Sequence, residues 1–266
     1  MELWSIASGS SGNCIYAGSE STQLLIDAGI TAKRIEQALA SREYDPGDLS
    51  AILITHEHSD HITGVSVLAR RYHIPVYATE KTMDAVLAQR GMEKFDDSLV
   101  QIISPDHDFF VGDLLVHPFA NYHDAADPVC YTLQDPSVKI AVATDMGHYD
   151  DYTVRALSGC DAMLIEANHD RHMLEVGPYP YPLKQRILSE VGHLSNDHCG
   201  KLLCELYHEN LRYILLGHLS KENNLPELAY ETVRYEMKSE LGQSIRKDLR
   251  LGVAKRDIPS GSIVLS

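Results

Sequence analysis

Residues 51–61 read Ala51-Ile52-Leu53-Ile54-Thr55-His56-Glu57-His58-Ser59-Asp60-His61. The first four are apolar and the fifth is β-branched, which suits a strand buried on both faces. At the end of that strand three histidines and one aspartate fall within six residues. Residues two apart in extended chain point the same way, so His56 and His58 can face one metal ion. Asp60 and His61 turn with the chain and can serve a second ion a few ångströms away. Imidazole nitrogen and carboxylate oxygen suit zinc, manganese or iron, and no cysteine is required.

Four protein groups cannot fill two coordination shells, so further ligands are expected at later strand ends. His123 follows the apolar run Leu115 to Phe119, Asp145 terminates Ile140 to Thr144, and His218 follows Tyr213-Ile214-Leu215-Leu216-Gly217. An aspartate at the position of Asp145 could bridge both ions.

The rest of the chain supplies the frame for these ends. Leu3 to Ala7, Cys14 to Ala17 and Gln23 to Asp27 read as strands, and the Ser/Gly-rich Ser8 to Asn13 and Gly18 to Ser21 between them read as tight turns. A helix is expected over Thr31 to Ala40 with Thr31 as N-cap. It is followed by strand Ala51 to Thr55, helix Gly64 to Tyr72, strand Val76 to Ala78 and helix Lys81 to Gln89. Strands predominate from Val100 to Ala143. Beyond them come helix Tyr152 to Leu157, strand Ala162 to Glu166, helices Leu183 to Glu190 and Asp197 to Glu209, strand Tyr213 to Leu216, helix Leu225 to Met237 and a strand near Ile263. Two such halves predict an α/β fold of two sheets with helices on their outer faces. The strongest loops, Asp45 to Gly47 and Gly177 to Pro182, flank no shift in composition, so residues 1–266 are read as one domain.

With 44% hydrophobic and 23% charged residues the chain of 266 residues is ordinary globular material, which excludes disordered and fibrous classes. No apolar run approaches the ~18 residues of a membrane span. Glu2 stands where a signal peptide would be basic, and five cysteines without a CxxC pair suit a reducing compartment, so a cytoplasmic protein is expected. The 23 basic against 38 acidic residues give a net charge of -15, which weighs against binding a polyanion through a broad basic face.

These motifs resemble the metallo-β-lactamase superfamily, whose pattern matches Asp27, His56-x-His58-x-Asp60-His61, His123, Asp145 and His218. Ser8 to Asn13, Glu166-Ala167-Asn168-His169-Asp170, Gly192-His193-Leu194-Ser195-Asn196 and His218 to Asn224 are similar to its YycJ/WalJ/VicX exonuclease-like branch, with Ala167 where a serine is expected. The resemblance implies a four-layer αββα sandwich and a dinuclear phosphodiesterase, a cytoplasmic DNA exonuclease of 5′ to 3′ polarity. It further implies action in DNA repair or maintenance, with nucleic acid and repair proteins as partners and no membrane. Carried over, one divalent ion takes His56, His58 and His123, the other Asp60, His61 and His218, with Asp145 bridging and Asp27 orienting a ligand histidine. Zinc or manganese is favoured, iron being the third choice. The ions would activate a water and hold a phosphate oxygen, and their charge would offset the acidic chain locally.

Asp60 and His193 are the catalytic candidates, His193 through phosphate contact or as general acid. Asn168, His169 and Ser195 join His193 as substrate contacts. The Ser8 to Asn13 loop could cradle a phosphate or be a plain turn. His73, His107, His117, His148, His172, His198 and His208 have no motif support. A glyoxalase-II-like thioester hydrolase uses much the same ligands, and an RNA-processing nuclease is the nearest nucleic-acid alternative. A non-enzymatic module on this fold would have lost ligands, and none is lost.

Overall fold

Apolar runs broken by Gly, Ser and Asp leave the backbone few ways to bury its side chains while pairing its polar groups, and strands alternating with amphipathic helices meet both demands. A computed structural model describes residues 1–266. Its elements begin with β1 (Glu2–Ala7), β2 (Cys14–Gly18), β3 (Gln23–Ile26), α1 (Ala32–Ala40), β4 (Leu49–Leu53), α2 (Ser59–Ile62) and α3 (Val65–Tyr72). They continue through β5 (Val76–Thr79), α4 (Glu80–Leu87), β6 (Val100–Ile103), β7 (Phe109–Val111), β8 (Leu114–Ala120), β9 (Val129–Gln134) and β10 (Lys139–Ala143). Next are α5 (Asp151–Leu157), β11 (Ala162–Glu166), α6 (Arg171–Val176), α7 (Tyr181–Ile187) and α8 (Asn196–Leu206). The chain ends with β12 (Tyr213–Gly217), α9 (Pro226–Leu241), β13 (Arg250–Val253) and β14 (Ile263–Val264). No helix is long and apolar enough to cross a membrane.

Contacts divide the chain into two compact units. The first comprises Met1–Ala120, Ala125–Val138 and Lys255–Ser266. Its sheet runs β14-β1-β2-β3-β4-β5-β6, antiparallel as far as β3 and parallel from β3 to β6. Leu24, Leu25 and Ile26 are all fully buried although alternate residues face opposite sides, so both faces are covered. Leu25, Ile52, Ile54 and Val76 share one core cluster with Ile35 and Leu39 of α1, Leu68 of α3 and Val86 of α4. Strands β7, β8 and β9 form an antiparallel run in the same unit. From β9 the Tyr131 hydroxyl donates to the Ile54 carbonyl at 2.7 Å, and the Val129 N–H donates to the Thr55 carbonyl at 3.0 Å. These bonds fix the end of the strand that carries the histidine motif.

The second unit comprises Asn121–Asp124 and Lys139–Ala254. Strands β10 to β13 pair in parallel, so their carboxyl ends share one edge. Helix α8 buries Cys199, Leu202, Leu203 and Leu206, and α9 buries Ala229, Val233 and Met237. The two helices pack closely because position 200 is glycine; a Cβ there would lie 2.6 Å from Cβ of Glu236.

The expected elements are present with ends shifted by a few residues. Three were not foreseen: α2 and α6, each too short to show a helical period, and β13, where Gly252 interrupts an apolar run. Thr31 occupies the N-cap of α1, but its side chain makes no capping bond. Helix α7 starts at Tyr181–Pro182, inside the stretch read as a loop, because proline in a first turn forfeits no helical hydrogen bond.

Leu25→Ala should empty a fully buried position between sheet and helices. It is expected to lower stability by about 2–5 kcal/mol, read as a fall in the urea midpoint with an unchanged m value.

Candidate metal centre

In the first unit the site begins one residue past β3. Asp27 has a left-handed backbone (φ 60°), and its N–H donates to the Leu53 carbonyl at 2.8 Å. Its buried carboxylate accepts from the Thr55 N–H and hydroxyl, each at 2.9 Å, and from His61 Nδ1 at 2.7 Å. Burial pushes the carboxyl above its ordinary value, while His61 and Thr55 pull it back. Because the Thr55 proton goes to Asp27, the hydroxyl oxygen accepts from His56 Nδ1 at 2.9 Å. One carboxylate and one hydroxyl thus set both tautomers, so that His56 and His61 each present Nε2 as the lone-pair nitrogen a metal requires.

The two rings lie 4.0 Å apart between centroids, and His58, at the N-cap of α2, is 4.6 Å from His56. Asp60 Oδ2 is 3.6 Å from His61 Nε2. Two donors about 2.1 Å from one tetrahedral ion stand about 3.4 Å apart, so this pair fits a single ion. The Ser8 to Asn13 segment is a tight turn closed by Gly12 N–H to the Gly9 carbonyl at 2.9 Å. It delivers the Asn13 amide to 3.1 Å from His61 Nε2. Gly29 allows this approach, since a Cβ there would overlap the Asp60 carbonyl oxygen at 1.6 Å.

In the second unit Asp145 and His218 also have left-handed backbones, with φ 60° and 54°, just beyond β10 and β12. Asn121 donates to the Thr144 and Asp145 carbonyls at 3.1 and 2.8 Å, holding that turn. Glu166, the last residue of β11, is fully buried. Its Oε1 accepts from His193 Nδ1 at 2.9 Å and His218 Nδ1 at 2.8 Å, and its Oε2 from the Met146 and Leu194 N–H groups at 2.7 and 3.1 Å. Burial alone would raise this carboxyl, but the two imidazoles outweigh it and hold it well below the carboxylate range. His123 donates from Nδ1 to the Gly192 carbonyl at 3.1 Å, and burial lowers its pKa. Asp145 Oδ1 lies 3.5 Å from His218 Nε2 and 3.8 Å from His123 Nε2.

The family model described as a β-lactamase superfamily domain matches residues 22–216. The chain belongs to the metallo-β-lactamase superfamily. It is 42% identical over 248 residues to Exodeoxyribonuclease WalJ of Streptococcus pneumoniae, covering 93% of this chain and 90% of the relative. To Exodeoxyribonuclease YycJ of Bacillus anthracis it is 40% identical over 228 residues, 86% of each chain. The metallo-β-lactamase fold protein YhfI of Bacillus subtilis superposes with a TM-score of 0.69 at 15% identity, over 98% of this chain and 99% of that one. The α/β class and the fold expected from the motifs are therefore the ones found, and this superfamily member is a hydrolase.

The donor set of this metallo-β-lactamase chain suits divalent metal. Its histidines are buried or half-buried, their Nδ1 protons are spoken for where a partner is named above, and carboxylates stand at ligand spacing. The first unit gathers Asp27, His56, His58, Asp60 and His61; the second gathers His123, Asp145, His193 and His218. Asn168 lies behind His218, donating to its carbonyl at 2.9 Å, and Ser195 donates to Asp197 at 2.8 Å. Sequence reasoning missed Glu166 and Thr55. An acid closing the otherwise apolar Ala162 to Glu166 was the available signal for the first; Thr55 gave none, since threonine is common in strands.

Thr55→Val keeps the shape and removes the acceptor for His56. Metal affinity is expected to fall 10- to 100-fold in competition with a chromogenic chelator, and an unchanged affinity would refute the tautomer argument.

Proposed function

We propose that the chain is a dinuclear phosphodiesterase, a DNA exonuclease of 5′ to 3′ polarity acting in DNA repair or maintenance with repair proteins as partners. Residues 1–266 would work as one metallo-β-lactamase-fold domain in the cytoplasm, a location that suits its five free cysteines. Zinc or manganese is the proposed metal, held by His56, His58 and His123 at one position and by Asp60, His61 and His218 at the other. Asp145 would serve both positions, a reading supported by its Oδ1 lying 3.5 Å from His218 Nε2 and 3.8 Å from His123 Nε2, one histidine of each set. Asp27 orients His61 from behind.

The observation that carries the reading is the grip of Glu166 on His193. Bound divalent ions supply Lewis acidity and a water of lowered pKa. The chain supplies the rest. Asp60 orients the attacking water, and Asn168 steadies His218. With Nδ1–H committed to Glu166, His193 can donate to a leaving group only from Nε2 and only as imidazolium. A departing sugar alkoxide is strongly basic and needs that proton; a thiolate, whose parent thiol has a pKa of about 8.5, does not. The pair therefore favours phosphodiester over thioester cleavage, and the names of the two relatives favour DNA over RNA.

Metal-replete protein should cleave labelled DNA, with RNA and S-lactoylglutathione as comparisons. Thioester hydrolysis alone would overturn the proposal, and labels at the 5′ and 3′ ends read the polarity. His193→Ala should retain its metal while kcat on DNA falls by roughly 10²- to 10⁴-fold, with a much smaller loss on bis-p-nitrophenyl phosphate, whose leaving group needs little protonation. Elemental analysis should find up to two transition ions per chain, and Asp145→Ala should lose more metal than His123→Ala. Full occupancy in Asp145→Ala would remove the bridge.

A further inference from the structure

The second unit contains a cavity of about 160 Å³ whose wall includes His148, His169, Arg171, His193, Ser195 and His198. The group that needs explaining is His169. It is 1% exposed, and neither ring nitrogen has a hydrogen-bond partner. Its backbone is firmly held: His169 pairs with Ser195 in a parallel bridge, and its carbonyl accepts from the Asn196 N–H at 2.9 Å. Burial lowers its pKa to about 4, so at neutral pH the ring is uncharged, with one N–H and one lone pair. A buried N–H without an acceptor is rare in a folded chain and marks a place where a partner is missing.

The rest of the wall says which partner. Arg171 brings a guanidinium to the half-exposed rim, and its nearest carboxylate oxygen, on Asp197, is 3.9 Å away. His193 and His148 are held through Nδ1 by Glu166 and by the Glu190 carbonyl. Glu190, whose side chain is exposed, is the one acid on this wall. The cleft has room for several waters, and so for one phosphate group.

We propose that this cavity is an oxyanion subsite that seats one phosphate group of the substrate beside the phosphate under attack. The His169 N–H and the Arg171 guanidinium are its donors, and His193 is the wall it shares with the reacting centre. The proposal rests on the nuclease reading for the origin of that phosphate, but binding tests it separately from cleavage.

Inorganic phosphate titrated calorimetrically into metal-loaded and chelator-treated protein separates capture by metal from capture by the cavity. Arg171→Ala, on the rim, and His169→Gln should each weaken phosphate binding to chelator-treated protein at least roughly tenfold. Arg171→Ala should also raise KM for DNA more than it lowers kcat. Equal phosphate affinity in parent and Arg171→Ala, or no binding by the parent at tens of millimolar phosphate, overturns the proposal. Competition by thymidine 5′-monophosphate marks the seated phosphate as terminal, and competition by thymidylyl-thymidine marks it as internal; inhibition by neither overturns it. Arg171-dependent phosphate binding in a protein that cuts no nucleic acid would sink the nuclease reading and leave the subsite standing.

Discussion

A carboxylate with no solvent around it must be met by donors on every side, and Glu166 is met by four: two imidazoles and two backbone N–H groups. The two amides belong to Met146, next to Asp145, and to Leu194, next to His193. A single buried charge therefore sets the position of the segment after β10, the segment before α8 and the ring of the histidine after β12. Removing one partner would leave charge unpaired in the interior, a loss of about 3–5 kcal/mol in such sites. The arrangement is stiff for that reason. It also makes His193 and His218 unequal: both give Nδ1–H to the same oxygen, yet one is fully buried and the other half-buried.

The same principle operates in the first unit on a smaller scale. Asp27 takes the Thr55 hydroxyl proton, and the hydroxyl oxygen is then obliged to accept from His56, so a proton's location two bonds away is decided by electrostatics at Asp27. Asp27, Asp145 and His218 all have positive φ immediately past strand ends. For residues with a Cβ this backbone is uncommon and costs of order 1–3 kcal/mol, and it concentrates where side chains must be aimed. Here it turns the chain sharply just past a strand end at three candidate site residues.

The net charge of -15 argues against a broad electrostatic grip on nucleic acid. The local picture is different, since the buried carboxylates of Asp27 and Glu166 are committed to imidazoles, a hydroxyl and backbone amides. The cavity beside His193 is lined by imidazoles and a guanidinium with one acid among them. An acidic chain can hold a phosphate in this way by enclosing it with a few aimed donors.

The candidate metal ligands were legible in the sequence because each stands at or just past the end of an apolar strand, and a strand's burial pattern and its end are both local properties. His56-x-His58-x-Asp60-His61 and the later His123, Asp145 and His218 follow from that logic, as do the α/β class and nearly every strand. Short elements escaped because α2 and α6 hold fewer than two helical turns, too few for periodicity to appear. The work of Glu166 and Thr55 escaped for a deeper reason. Each acts through partners distant in sequence, from Thr55 with Asp27 to Glu166 with His218, and no local pattern records which side chain faces which. Sequence alone determined what chemistry the chain carries and at which strand ends. Tertiary structure alone decided which nitrogen keeps its proton, which carboxylate is buried and where a donor is left without an acceptor, because hydrogen bonding and desolvation depend on neighbours in space.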